Sequence, residues 1–170
     1  MITATFLAVP SVLVDDLGIA SAGHWKVYLA VFVASIAGMV PLVLATERTR
    51  HGAALLVLGI LFAAVSQAML GGAHGHFWVV MTALTLFFAA FNYLEARLPA
   101  LLTLAAPGTE RGAALGIFAT AQFLGAFAGG SLGGVLLGRY GLAGVFWGAA
   151  AVAAIWALIA ITGTTGTTKV

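Results

Sequence analysis

In the stretch FNYLEARLPALL, residues 91–102, an amide, a carboxylate, a guanidinium and a proline interrupt an apolar run: Asn92, Glu95, Arg97 and Pro99. An ionisable side chain at the centre of a hydrocarbon layer costs about 2.5 kcal/mol or more. In an apolar helix such groups therefore face protein or water, and they are candidates for handling a proton or a polar solute. With successive residues about 100° apart around a helix, Asn92, Glu95 and Pro99 share one face, while Arg97 points about 160° away from Glu95. The two charges therefore do not simply neutralise each other. Pro99 has no N–H, so the carbonyl of Glu95 loses its usual intrahelical partner and a kink is expected there. One face thus offers a carboxylate, an amide and a freed carbonyl. The plainer reading is that Glu95 pairs with a cation on a neighbouring helix or at the membrane boundary, and that Arg97 snorkels to lipid headgroups.

Further along lies GAALGIFATAQFLGAFAGGSLGGVLLGRYG, residues 112–141. Glycines four apart, Gly125, Gly129 and Gly133, with Gly130 and Gly134 in a second row, form a stripe that lets another helix approach closely. Gln122 continues the first row; it either reaches a central cavity or hydrogen-bonds across the helix interface. The pattern GGSLG, residues 129–133, resembles a serine nucleophile motif, but Ser131 falls in mid-helix and no histidine is placed to act as its base. His74 and His76 lack a third ligand nearby, so a solvated loop is expected rather than a metal site. The chain has no cysteine, which removes thiol chemistry, disulfides and cysteine metal clusters. No enzymatic activity, metal or cofactor is expected.

These residues must be held by membrane-spanning helices. The 170 residues are 62% hydrophobic and 7% charged, where a soluble domain carries roughly a quarter charged residues. About 20 apolar residues cross a hydrocarbon core as a helix, and five runs qualify: His24 to Ala45, Gly52 to Leu70, Phe77 to Ala106, Glu110 to Tyr140 and Leu142 to Ile161. The fold class is an all-α integral membrane protein. The preceding segment Ile2 to Val14 reaches only about 20 Å and reads as the end of a helix whose beginning is missing. It has no Lys or Arg at its start, which disfavours a secretory signal. Residues 1–162 then form one helical unit and 163–170 a short tail.

Positive charge favours the cytoplasmic side. Arg48, Arg50, Arg111 and Lys169 lie on one side, Lys26 and Arg139 on the other, and Trp25, Trp78, Trp147 and Tyr140 mark helix ends on that second side. The loops at 46–51 and 106–112 and the C-terminus are therefore expected in the cytoplasm. No basic run suggests nucleic acid.

The stretches HWKVYL (24–29), NYLEARLPALLTLAAPGTERGAALGI (92–117) and ATAQFLGAFAGGSLGG (119–134) carry a family likeness. The chain resembles the C-terminal half of a major facilitator superfamily transporter, most closely the YajR-type branch related to drug and proton antiporters. The resemblance implies that the first short segment is the end of the family's seventh helix and the five spans its eighth to twelfth. The seventh and tenth helices border the central cavity in such transporters, which implies that Asn92, Tyr93 and Glu95 lie near it. The loop LATERTRHG (44–52) occupies the place of a cytoplasmic gate motif, reduced here to Glu47, Arg48 and Arg50. The resemblance further implies proton-coupled efflux of a small organic compound across a bacterial inner membrane. The partners are then the bilayer, protons, the substrate and an N-terminal six-helix half. Alternating access needs two halves, so the chain is not expected to transport alone. The alternative is a stand-alone membrane protein that assembles through the glycine stripe and moves nothing.

Overall fold

The structure, a computed structural model, describes residues 1–48, 51–73 and 75–166, with side chains as far as residue 163. Arg50, His74 and Lys169 lie outside the described residues. The helices are α1 (Ile2–Ser11), α2 (His24–Arg48), α3 (Gly52–Gly71), α4 (Phe77–Ala105) and α5 (Arg111–Gly166). No strand occurs among the described residues.

Apolar length dictates this architecture. α2, α3 and α4 are each long and apolar enough to cross a membrane, and so is the stretch Arg111–Gly163 of α5. That stretch has 53 residues, about 80 Å of helix, which is more than twice the ~30 Å hydrocarbon core. It is long enough to cross twice, and it breaks at Gly141, whose φ of 66° and ψ of −166° suit a residue without a Cβ. The break falls between the expected spans ending at Tyr140 and beginning at Leu142. α5 thus consists of a first arm, 111–140, and a second arm, 142–166.

α1 continues into a π-helical turn, Val12–Asp16, in which the N–H of Leu17 donates to the carbonyl of Val12 at 3.2 Å. Gly18, at φ 65°, then turns the chain so that the N–H of Ile19 closes on the carbonyl of Leu13 at 2.8 Å. This turn leads through Ser21–Gly23 into α2.

Within a bilayer, apolar burial gives helices little reason to associate, and close packing of small residues takes its place. α3 is the central element. It packs on α4 and on the second arm of α5, with α1 against α5 and α2 against α4. At Gly59 of α3 a Cβ would lie 2.8 Å from the Tyr93 ring, and at Gly71 it would lie 2.9 Å from the Trp147 ring. Ala63, Ala83, Ala90, Ala153 and Ala157 are buried as well. One apolar cluster gathers Val9, Leu13, Leu70, Val80, Leu84 and Phe146, and a second gathers Ile60, Tyr93, Leu94 and Ala157. The first arm of α5, by contrast, leaves Ile117, Phe123 and Phe127 more than 70% exposed.

Candidate functional site

α4 carries two polar faces, and the helical repeat separates them. On the first, Asn92 donates from Nδ2 to Ser35 Oγ of α2 at 3.5 Å, and Ser35 donates in turn to the Phe32 carbonyl at 2.7 Å. One turn further on, Glu95 Oε1 accepts from Gln122 Nε2 of the first arm of α5 at 2.5 Å. The partner of Glu95 is a neutral amide on the next helix rather than a cation. Glu95 is half-buried and Gln122 exposed, so the carboxylate is held at the edge of an open apolar surface. The arrangement fixes the carboxylate by one donor and leaves it accessible to a proton or a cationic group.

The second face carries Tyr93 and Arg97, four residues apart. Tyr93 is 1% exposed, lies against Gly59, and shares a hydrogen bond of 2.9 Å with Thr46 Oγ1 of α2. Thr46 itself donates to the Leu42 carbonyl at 2.8 Å, so the Tyr93 hydroxyl is the donor to Thr46. Tyr93 therefore belongs to the seam of α2, α3 and α4, and the structure does not bring it to Glu95. Pro99 is half-buried, and α4 runs through it as helix to Ala105. Of the loop residues, Glu47 and Arg48 end α2 and are exposed. Glu47 borders the same cleft as Tyr93 and Arg97.

The glycine rows divide. At Gly129 and Gly133 a Cβ would come within 3.0 Å of Thr3 Oγ1 and Ala4 Cβ of α1, and at Gly130 it would lie 3.9 Å from Thr3 Cβ. At Gly125 and Gly134 it would meet open space. Thr3 Oγ1 also donates to the Ala126 carbonyl at 2.9 Å, tying α1 to α5.

A further buried polar contact joins Thr5 of α1 to Gln67 of α3, with Thr5 Oγ1 3.2 Å from Gln67 Oε1. Gln67 is fully buried, and its Nε2 has no partner among the described residues. Composition marks Gln67, Ser35, Ser66, Thr82, Thr85 and Thr120 only as polar spots in apolar helices. The structure separates them: Ser66 and Thr120 bond their own helices, Ser35 accepts from Asn92, and Thr82 and Thr85 border an apolar groove beside Pro41.

The family model described as Major Facilitator Superfamily matches residues 1–169. The chain belongs to this superfamily. Its match extends from α1 through α5, so every contact described above lies within the family fold. The chain is similar to the inner membrane transport protein YajR of Escherichia coli (strain K12), with 38% identity over 156 residues, covering 92% of this chain and 34% of that protein. It is also similar to the uncharacterized transporter BU466 of Buchnera aphidicola subsp. Acyrthosiphon pisum (strain APS), with 29% identity over 106 residues, covering 62% of this chain and 27% of that protein. The chain thus spans about a third or less of the length of these curated relatives. Its membership and its long apolar helices make it an integral membrane protein.

Proposed function

We propose that this chain is the C-terminal six-helix half of a secondary active transporter, and that the transporter exports a small organic compound across the bacterial inner membrane in exchange for protons. The observation that carries the reading is the Glu95–Gln122 pair, an oriented carboxylate on an otherwise apolar, open face. Glu95 lies about 27 Å along α4 from Phe77, close to the membrane boundary, and an ionisable group that an apolar helix keeps there is a candidate for function. The surface around this pair suits a second helical half, and rocking of two halves about a shared site is the general mechanism of such folds. Similarity to an inner membrane transport protein supports the location and the activity.

The test uses the chain joined to an N-terminal half in proteoliposomes that report internal pH. Glu95→Gln removes the titrating group and keeps the shape, and it abolishes substrate-driven proton movement while the helix content stays unchanged. Glu95→Asp retains part of the activity. Undiminished proton movement in Glu95→Gln removes this residue from the mechanism.

A second reading rests on Gly134 and Gly138, four residues apart on one face, whose open surroundings leave a strip of backbone on the first arm of α5 uncovered. Assembly of two copies through that strip gives a discrete dimer in mild detergent. Gly134→Leu disperses the dimer without changing the helix content.

A further inference from the structure

The cleft between α2 and α4 around Arg97 has a chemistry of its own. Arg97 lies twenty residues beyond Phe77 at the start of α4, about 30 Å along the helix, which places it at the membrane boundary on the side of the α2–α3 loop. Its guanidinium approaches the first residue of α3, where a Cβ on Gly52 would lie 3.1 Å from Nη2. Nε is buried with no hydrogen-bond partner, and no described residue forms an ion pair with the side chain. The cleft is about 190 Å³, walled by Val43, Ala96 and Ala100, with Thr46 and Tyr93 as its hydroxyls. Those hydroxyls have no proton to offer: Tyr93 donates to Thr46, and Thr46 donates to the Leu42 carbonyl. The guanidinium is therefore the source of unused donors in the cleft, and it calls for an anionic acceptor.

We infer that this cleft binds a phosphate group, and specifically the phosphodiester of a lipid headgroup. A planar guanidinium matches phosphate oxygens through two parallel N–H bonds, and basic pockets between membrane helices take lipid headgroups. Three observations favour a lipid over a free phosphate. The cleft stands at headgroup depth. Its walls are mainly apolar, which suits the glycerol carbons beside the phosphate. Glu47, exposed on the rim, disfavours a dianionic monoester more than a singly charged diester. Room for about six water-sized groups accommodates the phosphodiester with its first carbons.

The test is titration of the delipidated chain in detergent with phosphatidylglycerol, followed by native mass spectrometry. Diacylglycerol and inorganic phosphate serve as comparison probes. Phosphatidylglycerol is expected to bind, with diacylglycerol and inorganic phosphate at least about tenfold weaker. Arg97→Gln is expected to weaken phosphatidylglycerol by about tenfold, and Arg97→Lys by less. Ala100→Leu fills the cleft while keeping the guanidinium, and it also weakens binding. Equal binding of diacylglycerol by the unaltered chain, or full retention of phosphatidylglycerol by Arg97→Gln, overturns the inference. Binding of inorganic phosphate as strong as that of the lipid overturns the lipid source.

Discussion

Tyr93 and Glu95 are separated by one residue in α4, yet they meet different helices. Simple 100° arithmetic already divides Glu95 from Arg97, and the same arithmetic puts Tyr93 beside Arg97. Placing Tyr93 with Glu95 follows from the family likeness, which knows the helix but not the face. The Glu95–Gln122 bond was out of reach of the sequence for another reason: a polar residue in mid-helix does not say which neighbour it meets. Tyr93→Phe removes the hydroxyl from Thr46 and is expected to cost about 1 kcal/mol, read as a small fall in the unfolding midpoint in detergent. Gly59→Leu drives a side chain into the Tyr93 ring, where even a Cβ would lie 2.8 Å away. Its expected cost is about 1–3 kcal/mol from overpacking, seen as a clearly lower midpoint and lost Tyr93 protection.

Among the elements, apolar run length located α2, α3 and α4 to within a few residues, because a hydrocarbon core sets helix length directly. The polar break Arg139, Tyr140, Gly141 likewise marked the division of α5. The π-helical end of α1 had no such signature, since one shifted hydrogen bond leaves composition and periodicity unchanged. Nor does composition reveal that α3 is the central helix. Its glycines Gly59 and Gly71 show their purpose only against Tyr93 and Trp147. Gly141→Ala tests the division of α5. Forcing a Cβ into φ 66°, ψ −166° is expected to cost about 1–3 kcal/mol. The predicted readout is a lower unfolding midpoint, while Gly138→Ala, in helix with nothing near its Cβ, leaves the midpoint unchanged or raises it slightly.

At the scale of the whole molecule, the seven Lys and Arg against five Asp and Glu carry the topology signal. The proposed orientation puts the α2–α3 and α4–α5 loops in the cytoplasm. Because the chain has no cysteine, single substitutions report sidedness cleanly in intact cells. Ser21→Cys, between α1 and α2, should react with an impermeant maleimide, and Ala106→Cys, after α4, should react after the cells are opened. The reverse pattern inverts the topology. The bend at Gly141 also bears on how the protein is made. With one residue between the two arms of α5 there is no loop in which synthesis can pause with one arm settled and the other waiting outside. On the proposed orientation the arms leave the insertion machinery as a hairpin with Arg139 at its tip, and the direction of the first arm commits the second.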